Sequence, residues 1–456
     1  MTTDNVDDYE LTMKDGKTMP NQFDKPIQTP EPEGQIATGI ATHRMREAVL
    51  RVVDDAGRPL PGVVVEVEQT SSDFLFGANI FMLNGYREDR LNARYEQAFL
   101  ELFNAASVPV FWKDIEPQRG QFRFTADSAP IRRRPPLDTL VDYCERHKLN
   151  MNANCLAWDY RPFSLPTWLE DTTHCAPLLE NYIHRVCERY GHRIHRWEPL
   201  NEALAKFHIP ENFNNIPQFP KDYERLAFEW ANRYLPGSAS LTINETTPTS
   251  WDRALRPDYL RMIDRLRQSG ARIDNIGLQF HMFLTADIAR LLTGEIFTPR
   301  DITDALDDYH RVGLPVYISE ITLPAVDGSA QAQADQARLA RHYYRLLFSH
   351  PAVRGITWWN LPDAGAVEGH ESTLASGLLN ADLTPKPAYE ALHQLIRSEW
   401  RTRLTVNTDA SGEARFRGFH GSYQIRVQDH HFTRALPADT GVLRIDLELG
   451  QEGMQS

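Results

Sequence analysis

The central part of the chain alternates short apolar runs with longer segments of helical spacing, and this alternation restricts the fold more than any other feature. Eight runs have the composition of β-strands: FLFGANI (74–80), VPVFW (108–112), NMNANCLAW (150–158), HRWEPLN (195–201), SLTIN (240–244), NIGLQFH (275–281), PVYISE (315–320) and GITWWN (355–360). Their starts lie roughly 34 to 45 residues apart, and each interval has room for a helix and two loops. Eight such units predict an α/β fold, a (β/α)8 TIM barrel over residues 73–400. Two separate open sheets are the alternative.

Both ends of the chain have the texture of all-β structure. Residues 45–72 contain two β-rich runs joined by the turn sequence DAGRPLPG, and residues 401–456 contain four short strand-like runs. Because domain ends usually lie close together, we expect these N- and C-terminal strands to form one small accessory β-domain; separate β units are the alternative. Residues 1–44 are rich in acidic residues, proline and threonine, and we expect a disordered or extended tail there.

Charge and hydropathy restrict the partners of the protein. The chain has 49 Lys and Arg against 62 Asp and Glu, a net charge of -13, so we expect no nucleic-acid partner and no membrane-docking face. No apolar run reaches the ~18 residues of a membrane span. No signal peptide is visible, which leaves a cytoplasmic protein or an exported one whose signal was removed. The oligomeric state does not follow from the sequence.

Cofactor and metal motifs are not found in the sequence. The four cysteines (Cys144, Cys155, Cys175 and Cys187) form no C-x-x-C pair, and we interpret them as buried thiols; one disulfide is the alternative if the protein is exported. The run Asp429-His430-His431 has no matching acid at a fixed spacing, so we expect no metal site. The phosphate-binding motifs G-x-x-x-x-G-K-[ST] and G-x-G-x-x-G are both absent from the sequence, so we expect no cofactor.

Two glutamates at strand ends are the strongest candidates for catalysis. Glu202 follows the fourth predicted strand, and Glu320 ends the seventh. The active site of a barrel of this type lies at the carboxyl ends of its strands, so these side chains are expected to face one mouth. Glycoside hydrolysis needs such a pair of carboxyl groups, one to protonate the leaving oxygen and one to attack or to activate water.

Polar and aromatic side chains at other strand ends fit a sugar pocket. Asn201 precedes Glu202, and strand alternation places Gln279 and His281 on one face. Trp158 and Trp359 lie at the ends of the third and eighth strands, where indole rings pack well against sugar rings.

These segments together resemble glycoside hydrolase family 10, the xylanase family, over roughly residues 74–400. Trp197–Glu202 resembles the family's W-D-V-x-N-E segment, Gly277–His281 its G-x-Q-x-H strand, Val316–Glu320 its V-x-I-T-E segment, and Gly355–Trp359 its G-I-T-x-W strand. Trp112, Glu116-Pro117, Gly120 and Phe122 resemble its K-W-x-x-x-E-P-x-x-G-x-F segment. The combination is specific, although no single segment is.

The resemblance implies roles for these residues. Glu202 would be the general acid and base, and Glu320 the nucleophile, of a retaining mechanism. Asn201, Gln279 and His281 would bind the sugar at the cleavage point, and Trp158 and Trp359 would shape the pocket wall; Trp112 is also predicted to contact substrate.

The chain departs from the family pattern in the outer sugar contacts. Asn154 and Asp159 stand where the family has histidines, and Thr322 stands where it usually has the Asp that supports the site histidine. The family's E-N-x-M-K-W run is replaced by residues 107–112 (SVPVFW), which removes the Glu, Asn and Lys that grip the next sugar. We therefore expect weak action on long xylan; the alternative is that Lys113, Asp159 and Asn154, all candidate substrate contacts, rebuild that grip from new positions.

The sequence therefore predicts a retaining, xylanase-like glycoside hydrolase with a carbohydrate substrate, and the changed outer contacts leave its substrate specificity open. One alternative is an enzyme that acts on short or small-molecule glycosides, such as a β-glucosidase or an arabinosidase. The other is a non-catalytic carbohydrate-binding protein, against which the presence of both Glu202 and Glu320 argues.

Overall fold

The centre of the protein is a closed barrel of eight parallel strands. The structure, a computed structural model, describes residues 33–171, 175–208, 219–365, 375–439 and 441–449. The barrel strands are β3 (Leu75–Asn79), β4 (Ala105–Pro109), β5 (Asn150–Asn154), β6 (Arg196–Asn201), β7 (Ser240–Glu245), β8 (Asn275–His281), β9 (Val316–Thr322) and β10 (Val353–Trp358). They neighbour one another in chain order, and β10 closes the ring on β3. The predicted (β/α)8 barrel is confirmed.

Helices connect the strands and cover the outside of the barrel. They are α2 (Asp89–Leu102), α3 (Trp112–Ile115), α4 (Leu137–Arg146), α5 (Ala176–Tyr190), α6 (Ala205–His208), α7 (Tyr223–Tyr234), α8 (Thr247–Trp251), α9 (Arg256–Gln268), α10 (Thr285–Leu292), α11 (Pro299–His310), α12 (Ala330–Ser349) and α13 (Pro387–His393), which continues as a π-helical turn over Gln394–Glu399. Their apolar residues recur every three or four positions; on α5, Leu179, Ile183 and Val186 are fully buried. Among the described residues, no helix has the length and apolar character needed to cross a membrane.

Two predicted strands end earlier than the apolar runs that suggested them. The run VPVFW was predicted as a strand over 108–112, but β4 ends at Pro109 and Trp112 begins α3. The run over 150–158 leaves the strand after Asn154. Apolar composition alone does not separate a strand from the buried loop that follows it at the barrel mouth. This shift removes Trp112 from a strand end and puts Trp158 in a loop.

The strands at the two chain ends pack as two sheets around one core. The first sheet has the order β12 (Glu413–Phe419), β1 (Met45–Asp54), β15 (Leu443–Leu449), and the second has the order β11 (Arg403–Asn407), β2 (Val64–Ser72), β13 (Gly421–Val427), β14 (His430–Leu436). Leu50 and Leu447 from the first sheet share a buried cluster with Val67 and Ile425 from the second. Each sheet combines N-terminal with C-terminal strands, as the sequence predicts.

The expectation of a tail over residues 1–44 is wrong for its last part. Residues 1–32 lie outside the described part of the chain, but α1 (Glu33–Arg44) is a helix. Ile36 and Ile40, one turn apart, are buried in the main core, and the buried guanidinium of Arg44 donates to the carbonyls of Phe348, His350 and Val353. Two apolar residues in a polar run gave too weak a periodicity to predict this helix. All four cysteines are buried and free.

Candidate active site

The two candidate carboxylates come from strands that open on the same barrel mouth. Glu202 directly follows β6 and has a φ of 52°, in the left-handed region that non-glycine residues rarely adopt. Its backbone N–H donates to the carbonyl of Asn244 at 2.9 Å, which ties this turn to the end of β7. Glu320 lies within β9 and is 4% exposed. Strained backbone of this kind concentrates at functional sites.

A single amide joins the two carboxylates. Gln279 Nε2, on β8, lies 2.7 Å from Glu202 Oε1 and 3.1 Å from Glu320 Oε1. Because both oxygens contact the same nitrogen atom, the distance between Glu202 Oε1 and Glu320 Oε1 is at most about 5.8 Å. Phe280, the next residue, packs on Trp251 outside the barrel, as strand alternation predicts.

A second amide ties the pair to β7. Asn244 Nδ2 donates to Asn201 Oδ1 at 2.9 Å and to Glu320 Oε1 at 3.2 Å, while Ser319 Oγ donates to Asn244 Oδ1 at 2.6 Å. This network fixes the Asn201 side chain beside Glu202. Both Asn244 and Ser319 were missed in the sequence, although each lies at or near the carboxyl end of a predicted strand.

The imidazole of His281 lies against the other oxygen of Glu320. His281 Nε2 lies 3.2 Å from Glu320 Oε2, and Nδ1 lies 2.8 Å from Thr322 Oγ1. The backbone N–H of His281 donates to Thr247 Oγ1 at 2.6 Å. The imidazole is thus held between a hydroxyl and a carboxylate.

The electrostatics separate the two glutamates. Burial, reinforced by the charge of Glu320, raises the pKa of Glu202 from 4.5 to about 7. The hydrogen bond from Gln279 opposes this shift and lowers the pKa. Glu202 is thereby suited to hold a proton near neutral pH, while three neighbouring side chains direct hydrogen-bonding atoms at Glu320.

A third glutamate, Glu198, lies below the pair and was not predicted. The amides of Asn152 and Asn154 donate to its two oxygens at 2.6 and 2.5 Å. Burial, followed by the charge of Glu320, raises its pKa to about 8, against the effect of those amides. Asn154 was predicted to bind sugar; its amide nitrogen is instead engaged by Glu198.

An aromatic wall lines the mouth. Trp158, Trp359, Phe81, Phe111 and Tyr160 form a buried cluster separate from the main core. The Trp359 ring lies 5.4 Å from that of Phe81 and 6.1 Å from the imidazole of His281. Trp158 is held beside the acid strand because Ala157 exchanges backbone hydrogen bonds with residues 199 and 201. Trp359 therefore lies next to the histidine that contacts Glu320, and Trp158 follows a residue bonded to the strand that leads to Glu202.

Asp159 forms a buried ion pair next to this wall. Lys206 Nζ, on α6, lies 3.1 Å from Asp159 Oδ2 and 3.3 Å from the Tyr223 hydroxyl. Asp159 Oδ1 and the neighbouring indole nitrogen of Trp158 are buried and have no hydrogen-bond partner among the described residues. Lys206 was not predicted because nothing in the sequence links it to Asp159, 47 residues away.

Two predicted substrate contacts, Trp112 and Lys113, are engaged by neighbouring protein groups. Trp112 is 1% exposed, stacks on Tyr182 at 5.4 Å and donates its indole N–H to Glu116, so it is a packing residue of the core. Lys113 directs its ammonium group to the carbonyl of Pro162. Both residues were predicted from their place in or directly after the apolar run over 108–112. In the structure β4 ends at Pro109, and both residues belong to α3.

The arrangement joins a carboxyl that holds its proton near neutral pH to a carboxylate fixed by three neighbours, beside an aromatic wall. Such a site can protonate one atom of a sugar substrate and attack another. Among the described residues, no group of three or more His, Cys, Asp or Glu side chains is arranged to bind a metal ion.

Known proteins with similar sequences are mostly xylanases. Endo-1,4-beta-xylanase 2 of Arabidopsis thaliana is 24% identical over 374 residues, which cover 81% of this chain and 31% of that protein. Anti-sigma-I factor RsgI6 of Acetivibrio thermocellus is 25% identical over 414 residues (88% and 48%), and endo-1,4-beta-xylanase 2 of Aureobasidium pullulans is 27% identical over 305 residues (63% and 77%). The chain thus spans less than half the length of the first two relatives.

Solved structures and the family comparison cover the barrel. Native xylanase 10B from Thermotoga maritima has a TM-score of 0.57 at 21% identity and covers 72% of this chain and 96% of its own. Endo-1,4-beta-xylanase XylE of Penicillium canescens has a TM-score of 0.58 at 21% identity, with 70% and 93% covered. The sequence profile described as glycosyl hydrolase family 10 matches residues 84–395. Because this match spans more than half of the sequence, the chain belongs to glycosyl hydrolase family 10.

Proposed function

We propose that the protein is a retaining glycoside hydrolase that cleaves β-linked sugars, with Glu202 as general acid and base and Glu320 as nucleophile. The observation that carries the proposal is the shared hydrogen-bond donor: Gln279 Nε2 contacts one oxygen of each carboxyl group. Retaining enzymes hold their two carboxyl groups roughly 5–5.5 Å apart, and inverting enzymes roughly 6.5–9.5 Å. The limit of about 5.8 Å between the two oxygens supports retention.

Two displacement steps follow from this geometry. In the first, Glu320 attacks the anomeric carbon while the glycosidic C–O bond breaks and Glu202 gives its proton to the leaving oxygen. The product is a covalent glycosyl ester of Glu320. In the second step, Glu202, now ionised, takes a proton from water, the water oxygen bonds to the anomeric carbon, and Glu320 is released. Hydrolysis of the ester in the second step therefore regenerates a protonated Glu202 and an ionised Glu320.

The surrounding residues supply binding and orientation. Asn201, fixed by Asn244, is placed to contact a sugar hydroxyl beside Glu202. The indole N–H of Trp158 and Oδ1 of Asp159, both unpartnered among the described residues, offer one donor and one acceptor to sugar hydroxyls. Trp359 presents a ring next to the nucleophile's histidine. These contacts favour a carbohydrate over other substrates.

Xylose-containing chains are the proposed substrate class. Similar proteins are named endo-1,4-beta-xylanases, and the xylanase 10B of Thermotoga petrophila, which has this fold at 21% identity, was solved with xylobiose. The non-catalytic alternative is disfavoured because sugar binding alone does not require two carboxyl groups joined by one amide.

Leaving-group dependence tests the two roles. Glu202→Ala should reduce kcat/KM on unactivated xylo-oligosaccharides by roughly 10²–10⁴-fold, since the proton donor is lost, and far less on a dinitrophenyl xyloside, whose leaving group needs no proton. Glu320→Ala should leave only a small residual turnover of both substrates, because the nucleophile is lost. Glu188→Ala, at an exposed position on α5, serves as the control.

The product configuration tests retention. Proton NMR of early hydrolysis should detect the β-anomer first. An α-anomer as the first product would contradict retention, and wild-type protein that turns over no β-glycoside would contradict the proposed activity.

A further inference from the structure

Each ring nitrogen of the His281 imidazole faces a hydrogen-bonding partner. Nε2 faces Glu320 Oε2 at 3.2 Å, and Nδ1 faces Thr322 Oγ1 at 2.8 Å. The ring of Phe283 stacks on the imidazole at 4.7 Å and 17°, and the edge of Trp359 lies at 6.1 Å. The imidazole therefore has a fixed orientation toward the carboxylate that the proposed mechanism uses as nucleophile.

Counting protons defines the state of this histidine. An ionised Glu320 can only accept hydrogen bonds, so Nε2 must carry a hydrogen. Nδ1 then either accepts from the Thr322 hydroxyl, in a neutral imidazole, or donates to it, in an imidazolium. The Thr322 hydroxyl can donate or accept, so both arrangements are possible at Nδ1. The choice depends on whether the hydroxyl hydrogen has another acceptor.

The burial of Thr322 selects the neutral form. Thr322 is 1% exposed, and His281 is the one hydrogen-bond partner of its hydroxyl among the residues that the structure describes. If Nδ1 donated, the hydroxyl hydrogen would be buried without an acceptor, which is costly. If Nδ1 accepts, the Thr322 hydroxyl donates to Nδ1 and Nε2–H donates to Glu320, so each of these hydrogens has an acceptor.

We infer that Thr322 is a positioning residue that holds His281 as the neutral tautomer with hydrogen on Nε2. The inference rests on the proposed function, because it assigns a role to Thr322 through the nucleophile. From His281, Glu320 then receives a neutral hydrogen bond and not a full positive charge, which keeps the carboxylate more basic and more nucleophilic. Ionisable groups in the described part of the chain that also interact with Glu320 include Glu202 and Glu198 on the β6 side and the buried thiol of Cys155.

Three variants of Thr322 separate positioning from packing. Thr322→Val keeps the shape but removes the hydroxyl, so Nδ1 loses its donor; kcat should fall about tenfold, the value of roughly one hydrogen bond, with KM within about twofold. Thr322→Ser should restore kcat. Thr322→Asp offers only an acceptor and should create an imidazolium, which moves both limbs of the pH profile of kcat/KM to lower pH.

The direction of that shift follows from the charges. A positive His281, whose Nε2 faces Glu320 while the new carboxylate would lie on the Nδ1 side of the ring, lowers the pKa of Glu202 and stabilises ionised Glu320. Thr247→Val is the matched control: its hydroxyl accepts from the backbone N–H of His281 and does not touch the imidazole, so it should leave both limbs unmoved whatever its effect on stability.

Nitrogen-15 NMR of histidine-labelled protein provides a readout besides activity. The His281 signals, assigned by their loss in His281→Gln, should show an unprotonated Nδ1 in the wild type and a protonated one in Thr322→Asp at neutral pH. A protonated Nδ1 in the wild type, or Thr322→Val with wild-type kcat and limbs, overturns the inference while the proposed function stands. A wild-type protein without turnover overturns the proposed function instead.

Discussion

Asn154 donates its side-chain amide to Glu198 at 2.5 Å, below the two candidate catalytic carboxylates. Although that bond favours the charged form, burial raises the pKa of Glu198 to about 8, above its ordinary value of 4.5. Glu245 behaves similarly: it accepts backbone N–H bonds from Leu204 and Thr246, and burial raises its pKa to about 8. At neutral pH, Glu198 and Glu245 in the folded protein therefore hold protons that they would lose in the unfolded chain.

These carboxyl groups predict stability that declines as pH rises. Between pH 6.5 and 8 the folded state binds more protons than the unfolded state at Glu198 and Glu245, so the free energy of unfolding falls with pH. Buried histidines with lowered pKa, such as His350, oppose this decline only in the lower part of the range, because their unfolded-state pKa is about 6.5. Thermal melts should show a Tm several degrees lower at pH 8.5 than at pH 6.5, and Glu198→Gln should reduce that difference. An unchanged difference would assign the effect to other groups.

The basic limb of activity should report Glu202. Because Glu202 must be protonated to assist the leaving group, kcat/KM on an unactivated glycoside should decline as pH rises through about 7. Glu320→Gln removes the charge that helps to raise this pKa, so the limb of the residual activity should move to lower pH. The measurement is the pH profile of both proteins on one substrate, and a limb that does not move would belong to another group.

Gln279 should matter more for turnover than for folding. Gln279→Met removes the donor that both carboxyl groups share, and kcat/KM should fall roughly 100-fold, since a charge-assisted hydrogen bond to ionised Glu320 and a hydrogen bond to Glu202 are lost. Gln69→Met is the control, because Gln69 is also a buried glutamine but donates to carbonyls in the accessory sheets. It should lower Tm and leave kcat/KM unchanged; equal losses of activity in both variants would remove the special role of Gln279.

The sequence predicts the barrel and its strongest chemistry because both depend on local patterns. Apolar runs at regular intervals define the strands. Because the carboxyl ends of the strands form the barrel mouth, Glu202 and Glu320 lie there whatever the conformation of the loops. Partnerships across strands leave no such pattern. Asn154 was predicted to bind sugar, but its position opposite Glu198 depends on the pairing of β5 with β6.

Residues beyond strand ends were the least predictable. Trp112 has the spacing of a pocket residue, yet β4 ends at Pro109 and the indole turns into the core against Tyr182. Lys206 meets Asp159 only because two loops converge. Helix α1 was missed because its stability comes from packing and from Arg44, neither of which appears as periodicity.

The buried ion pair between Lys386 and Asp363 should be important for stability. Lys386 is fully buried and donates to Asp363 at 2.6 Å and to the carbonyl of Ala375 at 3.1 Å. Lys386→Met leaves the carboxylate without its cation and should cost roughly 3–5 kcal/mol of unfolding free energy, measured by denaturant titration. The exposed pair Arg185–Glu188 gives the control: Arg185→Met should cost less than about 1 kcal/mol. Similar losses in both variants would contradict the assignment.

The outer sugar contacts are where this chain differs most from the family pattern. Val108 is fully buried, and Phe111, 3% exposed, belongs to the aromatic wall. The guanidinium of Arg134 lies 4.7 Å above the Phe111 ring but is paired with Asp114 at 2.7 Å. Of the three residues predicted to rebuild the polar grip, Lys113 and Asn154 are engaged elsewhere, and only Asp159, paired with Lys206, keeps an unpartnered oxygen among the described residues.

Weak action on polymeric xylan follows from that loss. Remote sugars normally supply binding energy that is used at the cleavage point. Each missing charge-assisted hydrogen bond is worth ~1.5–3 kcal/mol, so two losses reduce kcat/KM on long chains by roughly two to four powers of ten. Short aryl glycosides, which need only the site around Glu202, Glu320 and the aromatic wall, should be turned over better. The measurement is kcat/KM on soluble xylan against kcat/KM on aryl xylosides, with Asp159→Asn to test whether that carboxylate still binds a sugar. A strong preference for the polymer, reduced in Asp159→Asn, would show that Asp159 and Lys206 have rebuilt the grip.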